Sequence, residues 1–215
     1  MRRVEGMVFS IRFLMITSFL VSFPIYSFVQ AAQEPTDVAA LLAGAPKMGP
    51  AVIYHFSEHL AEAEASVLPQ GKAALIGTWQ QDRFVFPGLS GDPEIKLKSA
   101  TYNKGAEEGI LFQPADNAVK RLRFKEVPPG SVLVLDYGIE DVSLGVAEAS
   151  PIFLRIKVGK HELKRLRISH EAGWKKQDID LGILSFLKRP VPVTFEVFCD
   201  NNAGRRFSFR AEIKQ

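Results

Sequence analysis

A single cysteine, Cys199, stands in 215 residues, so no internal disulfide can form and stability must come from packing. The chain has no C-x-x-C pair, no G-x-S-x-G elbow and no glycine-rich phosphate loop following a strand. Those absences remove the usual signatures of dithiol redox chemistry, serine hydrolysis and nucleotide binding. Nothing in the sequence demands a cofactor. Cys199 itself falls on the apolar phase of an alternating stretch, which reads as a buried, unreactive thiol.

The N-terminus has the layout of a secretory leader. Arg2, Arg3 and Arg12 precede an apolar run from Phe13 to Val29, broken by Pro24, and Val29-Gln30-Ala31 offers small residues at cleavage-site spacing. Residues 1–31 are therefore read as a signal peptide, and the protein as exported, periplasmic or extracellular. The competing reading is an uncleaved anchor, which would be the only contact with a membrane. The net charge of +3 conceals a split. Residues 32–118 hold six basic and eleven acidic side chains, and residues 119–215 hold eighteen basic and twelve acidic. That split reads either as an anionic partner for the second half or as two halves of one domain attracting each other.

Residues 32–72 read as a linker followed by a short amphipathic helix. Tyr54, Phe56, His59, Leu60 and Ala63 fall near helical spacing, and Pro69-Gln70-Gly71 ends the segment. From residue 73 to 215 the pattern is nine or ten short strands separated by turn residues. Ile152, Leu154, Ile156 and Val158 alternate up to Gly159-Lys160, which suits a type II′ hairpin turn. Strict pairing there would turn Arg165 and Arg167 inward, so a β-bulge at Lys164-Arg165 is expected. In the last hairpin, Val193, Phe195, Val197 and Cys199 face one way, as do Phe207, Phe209, Ala211 and Ile213 across an Asn-Asn turn. The expected fold is all-β, an antiparallel sandwich with one short N-terminal helix.

The order of these features resembles a known family. Gly109-Ile110 to Pro114, Val127-Pro128-Pro129-Gly130-Ser131 and Tyr137-Gly138-Ile139-Glu140-Asp141 are followed by Val158-Gly159, Gly173-Trp174, Asp178-Ile179-Asp180-Leu181 and Phe207-Ser208-Phe209. Over roughly residues 75–215 the sequence is similar to galactose-binding-domain-like jelly rolls, the discoidin and carbohydrate-binding-module type. The resemblance implies a jelly roll, ligands among sugars, phospholipid heads or proteins, binding at loops on one end of the sandwich, and room for a structural calcium ion to which no residue is matched. Fold likeness alone does not set function.

The leading expectation is a non-catalytic exported module that binds a glycan or another cell-envelope component. Trp79 and Trp174 are the sugar-stacking candidates, with core packing as the competing role for each. Arg155, Arg167 and Arg210 point away from the core by phase, as do Arg121, Arg123, Lys125 and Lys157. On a shared sheet they would form a guanidinium stripe suited to an acidic polysaccharide, unless Glu126, Glu162, Glu196 and Glu212 neutralise it. Nucleic acid is not an expected partner. One alternative is an envelope structural or assembly protein that binds another protein. The remote one is a zinc hydrolase through His55, Glu58 and His59, an H-x-x-E-H spelling that needs one helix and a third ligand.

Overall fold

The computed structural model describes residues 49–89, 94–102, 105–141, 149–169, 173–182 and 188–215. The leader and most of the linker lie outside them. Fourteen strands are found among the described residues. They are β1 (Val52–His55), β2 (Glu64–Pro69), β3 (Leu75–Ile76), β4 (Thr78–Gln80), β5 (Arg83–Val85), β6 (Ile95–Tyr102) and β7 (Gly105–Phe112). The series continues with β8 (Ala118–Val127), β9 (Val132–Ile139), β10 (Ile152–Val158), β11 (His161–Ile168), β12 (Lys175–Asp180), β13 (Val191–Cys199) and β14 (Phe207–Lys214).

The first sheet runs β12-β9-β14-β7-β6-β5-β4, with β1 also paired to β14, and the second runs β11-β10-β13-β8-β2-β3. All the strand pairs are antiparallel. From β7 to β14 the chain changes sheet at every step except the β10–β11 hairpin. The result is β7-β14-β9-β12 facing β8-β13-β10-β11, the strand order of a jelly roll.

Alternation explains the core. Ile152, Leu154 and Ile156 from β10, Phe195 and Val197 from β13, and Phe207 and Phe209 from β14 are fully buried between the sheets. The Phe195 and Phe209 rings meet across the interior with centroids 4.7 Å apart. Each such phenylalanine contributes about 1.5–3 kcal/mol through burial. β13 and β14 are thus not a hairpin, as the sequence suggested, but a crossover between layers. The connection from Asp200 to Arg206 is long enough to bridge the ~10 Å between sheets, which a two-residue turn is not.

The expected N-terminal helix is replaced by β1, one 3-10 turn at Leu60–Glu62, and β2. Ala63, Ala65 and Val67 are buried at every second position, a period-two signal that the helical spacing of Tyr54 to Leu60 obscured. β1 and β2 pair with β14 and β8, so the sandwich begins at Val52 rather than at residue 73. Phe56, just after β1, inserts between Phe124 and Phe195 at 4.9 and 5.1 Å, edge to face with both rings. Tertiary pairing has overridden local propensity here.

Two turns carry specific backbone chemistry. Gly159 has φ +58 while Lys160 is not left-handed, the type II′ combination expected for the β10–β11 hairpin. Between β4 and β5 the chain turns at Gln81-Asp82. Both residues are left-handed there (φ 45 and 64), which makes a two-residue type I′ link between β4 and β5. The expected bulge is present, but its unpaired residue is Leu163, opposite the Ile156–Lys157 step, one position before Lys164. It has the anticipated effect, since Leu166 and Ile168 return to the core.

Candidate functional site

The outer face of the second sheet is built by the residues that alternate with the core. Strand register aligns them in rows running across the strands. One row is Arg167, Phe153, Phe198, Val119 and Leu68, from β11 to β2. The next is Arg165, Arg155, Glu196, Arg121 and Ser66. A third is Glu162, Lys157, Thr194, Arg123 and Glu64.

The first row is largely apolar on the solvent side of the sheet. Phe153 and Phe198 stack on one another, centroids 5.0 Å apart and planes 13° from parallel. Beyond Phe198 the row opens into a recess of about 240 Å³ lined by Leu68, Val119 and Phe198, with Gln70, Asn117 and Asp200 on its polar side. Cys199 also borders this recess, yet burial, with the Asp116 charge, pushes its thiol up to about 11. It is protonated and inert at neutral pH.

The second row is organised by Glu196, whose side chain is 1% exposed. Arg121 Nε donates to its Oε1 at 2.9 Å, Arg155 Nε to its Oε2 at 2.6 Å, and Lys157 Nζ to its Oε1 at 3.2 Å. Burial alone would raise this carboxyl. Hydrogen bonds from Lys157, Arg121 and Arg155, with the Arg155 charge, outweigh it and hold Glu196 below the usual carboxylate range. Glu64 is likewise lowered, first by its hydrogen bond to Lys125 and then by Arg123. Glu196, Glu162 and Glu64 thus pair with much of the stripe. Arg167 is exposed and makes no ion pair among the described residues.

Of the anticipated site residues, the sheet brings Arg155 and Arg167 together and separates Arg210 from them. Arg210 lies on the outer face of the first sheet, bonded to Asp136 at 3.0 Å and 3.6 Å from Glu107. Trp79 is half-buried and packs edge-on against Phe84 at 5.0 Å, beside the core. Trp174 is also a packing residue, on the outside of a sheet rather than at the end of the core. Its ring lies over Gly109 and Gly138 of the first sheet and against Tyr102, centroids 4.5 Å apart. A Cβ at Gly109 or Gly138 would lie 3.0 Å from the indole, and at Gly138 also 2.7 Å from the Gly173 carbonyl oxygen, so both positions are crowded for any residue but glycine.

The H-x-x-E-H residues do not share a helix face. His55 on β1 approaches Glu212 at 3.4 Å, while His59, in the turn, stacks on Tyr54 at 4.3 Å and meets Glu62 at 3.1 Å. Among the described residues, no three His, Cys, Asp or Glu side chains form a metal-holding group.

Two features escaped the sequence reading. Arg205 is fully buried in the β13–β14 crossover, donating to the carbonyls of Asn202 (3.2 Å) and Ser150, and burial lowers its pKa. A polar recess of about 450 Å³ on the first sheet is lined by Lys96, Lys98, Arg206 and Glu94, near the buried Glu140 that Lys98 holds at 2.9 Å.

No protein-family model matches the sequence, and no curated protein matches it. Solved structures with a similar fold include the CBM51-2 and INT domains of Clostridium perfringens ZmpB, with and without GlcNAc. Identity is 11% and 9% and the TM-score 0.38 and 0.40, over 55% and 77% of this chain. This chain spans only 25% and 40% of those two chains. The C-terminal CBM6 of the laminarinase LamC from Zobellia galactanivorans gives 7% identity and TM-score 0.32, over 70% of this chain and 99% of that one. The Stig cyclase Fisc from Fischerella sp. TAU gives 10% and 0.36, over 84% and 98%. Likeness at this level carries no argument about ligand or activity.

Proposed function

We propose that this protein is a non-catalytic, exported recognition module that binds a glycan on the outer face of its second sheet. One observation carries the reading. Phe153, Phe198, Val119 and Leu68 form an apolar row on the solvent side of a sheet and end in a recess. As a cross-strand pair, Phe153 and Phe198 add only about 0.2–1 kcal/mol to the sheet, whereas an apolar row continued by Val119 and Leu68 over two more strands matches the C–H face of a pyranose. The hydrogen-bonding side chains beside it, from Arg121 and Arg155 to Gln70, supply donors for hydroxyl groups. The leader-like N-terminus supports export.

Calorimetric titration of the full chain with a panel of envelope and plant-type polysaccharides tests this. At least one glycan is expected to bind, and Phe198→Ala to weaken it at least about tenfold, the loss of roughly 1.4 kcal/mol. Wild-type binding that survives Phe198→Ala unchanged places the site elsewhere. Failure of every glycan to bind refutes the reading.

A further inference from the structure

Resting on that reading, we infer that the glycan is an acidic polysaccharide, with its sugar rings on the apolar row and its carboxylates on the neighbouring row of guanidinium groups. The charge count favours this ligand over a neutral one. The three rows together with Lys125 carry seven cations, Arg121, Arg123, Lys125, Arg155, Lys157, Arg165 and Arg167. Against them stand Glu64, Glu162, Glu196 and, in the recess, Asp200, an excess of three positive charges.

The arrangement is also preorganised. Glu196 is buried and ligated from both sides by Arg121 and Arg155, whose strands lie on either side of β13 and so about 10 Å apart. Arg121 bonds Glu196 through Nε alone, which leaves its two Nη groups without a protein acceptor among the described residues. That fork suits a carboxylate. Arg167 adds an exposed guanidinium with no ion pair among the described residues at the far end of the apolar row, beside Phe153. Rows two residues apart along a strand are separated by about 7 Å. A long arginine side chain can cross that offset toward a carboxyl on the edge of a stacked ring.

An acidic peptide could satisfy the charges, but it presents no flat apolar face to the aromatic row. The experiment therefore titrates the full chain with polygalacturonate, with the same polymer after its carboxyls are reduced to alcohols, with a neutral β-glucan and with polyglutamate. Polygalacturonate is expected to bind, its affinity falling at least about tenfold between roughly 50 and 200 mM salt. The reduced polymer and polyglutamate are expected to bind at least about tenfold more weakly. Arg167→Ala and Arg121→Ala should each weaken polygalacturonate severalfold and flatten its salt dependence. Equal, salt-independent binding of the neutral or reduced polymer overturns the acidic assignment while leaving glycan recognition standing. Equal binding of polyglutamate overturns the stacked-ring placement. Unchanged affinity in both arginine variants moves the anion site elsewhere, and binding of none of the saccharides defeats the underlying reading itself.

Discussion

Replacing Glu196 with glutamine tests how the charged face is held together. The side chain is 1% exposed, and three cations converge on it. Breaking a buried ion pair by removing one partner costs about 3–5 kcal/mol, because the remaining charge is left without compensation. The partners here are less buried, with side chains 36% exposed for Arg121, 25% for Arg155 and 27% for Lys157, so part of their charge would turn to water. The expected loss is therefore about 2–3 kcal/mol. For a domain of this size that is a drop in Tm of about 5–10 °C.

The pH dependence of that drop sharpens the test. Glu196 is held below the ordinary carboxylate value in the folded protein. Its contribution is complete above the unfolded-state value of about 4.3 and is lost as pH falls through the lowered folded value. Glutamine cannot take up that proton. Thermal melts followed by circular dichroism should show a wide gap between wild type and Glu196→Gln near pH 7, narrowing as pH falls below the unfolded-state value. A gap under about 2 °C at neutral pH, or one of constant width into acid, would refute the view that a charged Glu196 anchors the cations.

Other substitutions separate packing from recognition. Gly138→Ala places a methyl group 2.7 Å from the Gly173 carbonyl oxygen and 3.0 Å from the Trp174 ring. It should cost about 1–3 kcal/mol and red-shift indole emission; an unshifted melt would mean the loop moves aside freely. Trp174→Ala should lower stability by about 2 kcal/mol and leave glycan affinity unchanged. Lost binding with the melt preserved would return Trp174 to the ligand site. Cys199, 3% exposed and with its thiol pushed up to about 11, should resist iodoacetamide at neutral pH and react fully once unfolded. Rapid labelling of the native protein would show that the bordering recess opens onto the sulfur.

The fold was legible where one face of a strand had to be dry. Phe195, Val197, Phe207 and Phe209 declare their phase without help from any neighbour, and burial agrees at each. The bulge followed from the same logic to within one residue, because only an extra residue could turn Leu166 inward and Arg167 outward. The helix misreading at Tyr54–Ala63 arose because a turn between two strands happens to space apolar residues by three and four. The β13–β14 connection looked like a hairpin because alternation reports which way a side chain points and not which sheet the strand joins.

The site was less legible, for a related reason. Phe153 and Phe198 sit on the wettable phase of their strands, where a lone aromatic looks incidental. They become a feature only when register places them side by side with Val119 and Leu68. Glu196 likewise read as a surface acid that offsets nearby arginines, and only the flanking strands reveal that it is enclosed. Arg210 failed to join the group because phase is common to both sheets, and membership in one of them is not.

The unpaired Leu163 also bears on the fate of the molecule in a crowded compartment. β11 is an outer margin of its sheet, and a straight margin offers free amides and carbonyls to any passing chain. A kink there, flanked by His161, Glu162, Lys164 and Arg165, spoils that template. At the opposite margins β3 and β4 are only two and three residues long, too brief to recruit a neighbour. The irregularity that returns Leu166 to the interior therefore also guards against fibre growth: deleting Leu163 would keep Leu166 opposite Leu154 and facing inward, yet leave a straight margin open to pairing.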